Sequence, residues 1–252
     1  MLQGAPGMVA QRTANIAPVR QGAAATLLVG LGSPCGDDAV GWCVAAGVAE
    51  ALRHARAGET AGMSVGTSAG TSAAALAGAA VRLARAPLEL LDWCGGQARL
   101  VIVDACVHEP GQMRHAAPSP GTCVCWRWPA LPAVRRPPAT SHHFGLAEAL
   151  ALADALRILP AETVVVGIWV DPCAVTSATR HGPLYPQAGA AGAAVPTLSA
   201  PGRPTPAVAE WQAELIRQLS PGLRAALPKI IEQLLDCLAA PMPASHATDA
   251  NP

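Results

Sequence analysis

Apolar runs and amphipathic stretches alternate along this chain, and their order predicts its elements. The run Ala23 to Val29 predicts a first strand over Thr26 to Gly30. It leads through the turn Gly30-Leu31-Gly32 into an alanine-rich helix near Asp38 to Arg53. A weaker strand follows at Ala80 to Ala84, then a short helix from Leu88 to Trp93. Arg99 to Ala105, RLVIVDA, lacks the apolar–polar alternation of a half-solvated strand and reads as one buried on both faces. Cys123 to Trp128 can form another strand, and TVVVGIWV, Thr163 to Val170, is a further buried one. Between these two, HFGLAEALALADALRIL sets Leu146, Leu150 and Leu156 among Glu148, Asp154 and Arg157, the pattern of an amphipathic helix. Ser220 and Pro221 suit the N-cap and first turn of a last helix that ends near Cys237 and is expected to kink at Pro228. Strands and helices in this alternation predict an α/β protein with a mostly parallel sheet covered by helices on both faces.

Composition marks where this pattern stops. Residues 1–22 carry no acidic residue and are expected to be a disordered leader; 55–78 repeats GTSA; 172–206 contains seven prolines. The remainder fits one α/β domain over 23–240 with flexible insertions at 55–78 and 172–206 and a disordered tail at 241–252. Basic and acidic residues number 17 each, with Lys229 the only lysine, so no basic stripe points to nucleic acid. The apolar stretch after Arg20 is too short to span a bilayer, so no membrane partner is expected. Eight cysteines without a CxxC pair read as reduced thiols of a cytoplasmic protein. The closest pair, Cys123 and Cys125, would share one face of a strand, more as packing than as a metal site.

Chemistry concentrates in GLGSPCGDDAVGW, Gly30 to Trp42. Strand, tight turn and helix are the layout of a dinucleotide cradle, but Cys35 stands where the third glycine belongs. Asp37 and Asp38 would set two negative charges where a phosphate should bind. Such a site suits a cation or a polar amide. A plainer reading makes Asp37 an N-cap and Asp38 a first-turn acid. Ligands of open α/β sheets bind beyond the carboxyl ends of the strands, where Asp38, Asp104 and His142 are expected to gather. Two carboxylates and an imidazole suit a divalent transition metal with open positions. His143 is the rival ligand, and Asp104 could instead serve as an acid or base.

Four blocks in order, LLVGLGSPCGDDAVGW, LVIVDAC followed by EPGQMR, SHHFGLAEALALADAL and VVVGIWV, resemble the hydrogenase maturation proteases. LSPGLRAALPKIIEQLL looks like the closing helix of that family, and Ser33 stands where most members carry asparagine. The resemblance implies a three-layer sandwich around a five-stranded, mostly parallel sheet. It also implies an endopeptidase that removes the C-terminal extension of a nickel–iron hydrogenase large-subunit precursor once nickel is inserted. Carried over by position, Asp38, Asp104 and His142 would be both the catalytic residues and the nickel contacts, His142 because it lies three places before Gly145-Leu146. The nickel would come with the precursor, and a cytoplasmic monomer is expected. A non-cleaving nickel-binding assembly factor is the nearest alternative. A member acting on another precursor or none, and a nucleotide-binding module, stand further off.

Overall fold

Five strands form one sheet: β1 (Thr26–Leu31), β2 (Ala80–Ala84), β3 (Arg99–Val107), β4 (Cys123–Arg127) and β5 (Glu162–Val170). The computed structural model describes residues 26–60, 79–107, 118–131, 145–171 and 206–239. The sheet order is β2-β1-β3-β5-β4, parallel throughout except at the edge, where β4 runs antiparallel to β5. Among the described residues the helices are α1 (Val40–Thr60), α2 (Leu146–Ala155), α3 (Pro206–Gln218) and α4 (Pro221–Ala239). Two 3-10 helices, Gly36–Ala39 and Pro87–Asp92, complete the described elements.

Alternation along the central strands divides the core in two. Leu28, Val101, Val103, Val166 and Ile168 face α1, α3 and α4. Leu27, Val29, Leu100, Ile102 and Val165 face the opposite way, toward Leu90 of the second 3-10 helix and Leu150 of α2. Covering both faces explains the uninterrupted apolar character of these strands. The expected three-layer arrangement, with its mostly parallel five-stranded sheet, is the one observed.

Several local readings differ from the expectation. The segment from Leu88 to Trp93 is a 3-10 helix beginning at Pro87. β3 continues past Ala105 to Val107, because β5 pairs with it along its whole length, from Arg99 against Glu162 to Val107 against Val170. α1 runs to Thr60, into the first expected insertion, while 61–78 lies outside the described residues. The second expected insertion, 172–206, also lies outside them apart from Pro206, which opens α3. Residues 1–22 and 241–252 lie outside the described residues as well.

α3 itself has no counterpart in the predicted elements, although Trp211, Leu215 and Leu219 recur at helical spacing and Leu215 and Leu219 are buried. Trp211 stacks obliquely on Trp42 at 5.9 Å between ring centroids, seating α3 against α1. Leu156, expected on the apolar face of α2, is 55% exposed. The helix ends one residue before it, and Arg157 turns the chain with φ of 56°. Ala149, Leu150 and Ala153 form the buried stripe instead. α4 continues through Pro228. Among the described residues no helix is long and apolar enough to cross a membrane.

Candidate functional site

Strand order creates a crevice before any side chain is considered. β1 lies between β2 and β3, so the chain leaves β1 toward one neighbour and returns on the other side. The connections diverge at the carboxyl ends of β1 and β3, the place where open α/β sheets take their ligands. Asp38 lies in the turn after β1, and Asp104 lies in the carboxyl half of β3.

Three glycines let that turn pack closely. A Cβ on Gly30 would stand 2.4 Å from the carbonyl oxygen of Gly41, and one on Gly32 would stand 2.2 Å from that of Asp38. A Cβ on Gly41 would meet the Leu31 oxygen at 2.1 Å and the Val103 oxygen at 2.6 Å. Such distances exclude any side chain unless the backbone moves. The glycines therefore serve the approach of α1 to β1 and β3, and the 3-10 helix carrying Asp38 is held above both strands. Trp42 adds a tether by donating its indole N–H to the carbonyl of Ala84 at 2.8 Å.

The acidic pair divides its work. Asp37 is only 1% exposed, and its Oδ1 accepts the backbone N–H of Ser220 at 2.6 Å. Its Oδ2 is buried with no hydrogen-bond partner among the described residues. The N-cap reading of Asp37 is thereby corrected. Cys35 holds that position, without a side-chain cap bond, and Asp37 instead joins the first turn after β1 to the start of α4. A carboxylate there also meets the positive end of the α4 dipole.

Asp38 is left half-buried. Burial, reinforced by the neighbouring charge of Asp38, pushes the Asp104 carboxyl up to about 7, although the Ala105 N–H donated to Asp104 Oδ1 at 2.8 Å pulls the other way. A buried carboxyl whose proton affinity is raised by a neighbouring carboxylate belongs to a site in which a cation relieves repulsion. The structure thus brings Asp38 and Asp104 together. His142 and His143 lie outside the described residues. Among the described residues no group of three His, Cys, Asp or Glu side chains is gathered to hold a metal.

The sequence reading did not single out Cys106 or Gly167. Cys106 shares the face of Asp104, and its thiol is pushed up to about 12 by burial and by the Asp104 charge, which keeps it a neutral thiol. Its sulfur lies over Gly167, where an added Cβ would come within 2.3 Å. Gly167 pairs with Asp104 in the sheet, so its missing side chain leaves room beside the carboxylate for that sulfur.

No protein-family model matches the chain, and no curated protein matches it. Solved structures similar to it include the hydrogenase maturating endopeptidase HybD from E. coli, at 18% identity and a TM-score of 0.42, covering 84% of this chain and 91% of that one. The nickel–iron hydrogenase maturation protease HycI from Thermococcus kodakarensis is 13% identical, with a TM-score of 0.41 and coverage of 88% and 97%. A hydrogenase 2 maturation peptidase from a Thaumarchaeota archaeon is 14% identical, with a TM-score of 0.33 and coverage of 84% and 97%.

Proposed function

We propose that this chain is a hydrogenase maturation endopeptidase, which removes the C-terminal extension of a nickel–iron hydrogenase large-subunit precursor after nickel insertion. The observation that carries the reading is the electrostatically coupled pair Asp38 and Asp104, set in the crevice between β1 and β3. Two carboxylates are hard anionic ligands, too few to hold a divalent ion tightly. Precursor-borne nickel would complete the set, with His142 as the third ligand from this chain. A nickel-loaded precursor then gains contacts that an empty one cannot make, and this differential affinity is the physical content of a maturation check.

The chain's own groups suit the hydrolytic step. Asp104, held near neutrality, can exchange a proton with an attacking water or with the leaving amine at physiological pH. Asp38, beside it, supplies negative charge that favours the approach of a cationic centre. Peptide hydrolysis consumes one water, whose proton is taken up by a carboxylate and returned to the departing nitrogen. A cytoplasmic location and action as a monomer belong to this proposal.

Purified chain is mixed with nickel-loaded and nickel-free precursor, and release of the C-terminal peptide is followed by mass spectrometry. Cleavage of the loaded form alone is expected. Asp38→Ala and His142→Ala should each lower cleavage of loaded precursor at least tenfold with the fold intact. Equal cleavage of both forms would remove the metal-reading role. Nickel-dependent binding without any cleavage would make the chain an assembly factor instead.

A further inference from the structure

On the face of the sheet covered by α4, three cysteines line one small cavity. Cys123 and Cys125 lie two residues apart on β4, so both point to the same side, and Cys237 comes from the end of α4. The cavity measures about 30 Å³, and its other walls include Val103, Ile230 and Leu234. That is space for about one or two water molecules, so the gap that the three residues line is narrow. All three are free cysteines, with Cys125 and Cys237 exposed and Cys123 half-buried.

The packing register decides which two can meet. At the start of β4, a Cβ on Gly121 would stand 2.6 Å from Ala226, with Ile230 and Leu223 next nearest. β4 and α4 run in the same direction from that contact, since the cavity joins Cys123 and Cys125 to Ile230, Leu234 and Cys237. From 121 to 125 a strand advances about 13 Å at about 3.3 Å per residue. From Ala226, the residue nearest Gly121, to 237 a helix advances about 16.5 Å at about 1.5 Å per residue. Of the two strand cysteines, Cys125 therefore comes nearer the height of Cys237, while Cys123 lies about 7 Å, a little over one helical turn, further back.

We propose that Cys125 and Cys237 are an oxidation-sensitive pair that closes to an intramolecular disulfide, stapling the last helix to the edge strand of the sheet. Hydrogen peroxide is an oxidant of sufficient strength. One thiolate attacks a peroxide oxygen, the O–O bond breaks, and the sulfur becomes a sulfenic acid with loss of one water equivalent. The second thiolate then attacks that sulfur and releases a second water. The pair loses two electrons and two protons, and the peroxide becomes two waters. Cys237 closes the gap from the last turn of α4, a helix end that can shift to reach disulfide geometry. Burial and the nearby Cys237 hold the Cys125 thiol above its ordinary range, so closure should quicken as pH rises through the alkaline range.

The test is peptide mapping of the full chain without reduction, after treatment with hydrogen peroxide at pH 7 and pH 9. The expected result is a peptide linking Cys125 to Cys237, two mass units lighter than the sum of its parts, formed several-fold faster at pH 9. It should revert with dithiothreitol, persist in Cys123→Ser and vanish in Cys237→Ser. A dominant Cys123–Cys237 link, exclusively intermolecular links, or separately oxidised cysteines without a bridge would each overturn the proposal.

Discussion

Asp104 is the residue whose environment departs furthest from what its side chain prefers. Its carboxyl rises from the ordinary 3.8 to about 7 through burial first and the Asp38 charge second. The folded state therefore binds this proton more tightly than the unfolded state, and between about pH 4 and pH 7 it carries more of it. Stability of the metal-free protein should accordingly fall as pH rises through that window, and the penalty should be complete above pH 7. A change of this size corresponds to at most about 4 kcal/mol at full ionisation. Asp104→Asn should lose this pH dependence and gain about 2–4 kcal/mol at pH 8, read by urea unfolding at pH 5 and pH 8. An unchanged pH profile in the variant would show that Asp104 is not strained. Asp37 is the opposite case, a buried carboxylate serving a structural bond. Asp37→Ala should destabilise by about 1.5–3 kcal/mol, the range for a hydrogen bond to a charged group. Unfolding midpoints should show Asp37→Asn, which keeps the acceptor oxygen, suffering less.

Elements reach their places through backbone approach as much as through apolar burial. The join of α1 to β1 and β3 depends on Gly41, which lies against two carbonyl oxygens. Gly41→Ala forces those backbones apart and should cost about 1–3 kcal/mol or more, in the range of overpacked cores. It should also separate Asp38 from Asp104, so loss of precursor cleavage should exceed what the stability change explains. Activity assayed well below the unfolding midpoint distinguishes the two effects. At this scale the sequence was informative in part. The strands were legible because a strand buried on both faces is an unbroken apolar run, as in β3 and β5. α3 is hard to read in the sequence because its signal begins directly beside a proline-rich stretch. The 3-10 geometry of Pro87–Asp92 was not legible, since a single short turn carries no period to distinguish it from an α-helix.

For the whole molecule, α4 closes one of the two cores. Leu223, Leu227, Ile230, Leu234, Leu235 and Leu238 are all buried on its inner side. At about 1.5–3 kcal/mol for each such side chain, this face contributes on the order of 10 kcal/mol, comparable to the full stability of a domain. A chain ending at Leu219 should fail to fold cooperatively, which circular dichroism during thermal unfolding would show. Its start is also where Ser220 meets Asp37, so the last helix supports both the core and the turn beside the crevice.

The sequence by itself determined the α/β class, the buried strands and the candidacy of Asp38 and Asp104, because period, run length and residue chemistry are local properties. It also singled out His142, whose place beside them lies outside the described residues. Tertiary structure alone decided that β4 would lie antiparallel at the edge and that the crevice would open between β1 and β3. It alone separated Asp37 from Asp38, one turned to the N–H of Ser220, 183 residues away in sequence, the other acting on Asp104. Only the packing of α4 on the sheet set Cys237 at the cavity lined by Cys123 and Cys125. The reason is common to all of these: pairing order, burial and electrostatic coupling depend on distances between residues far apart in the chain, and those distances exist only after the layers have packed.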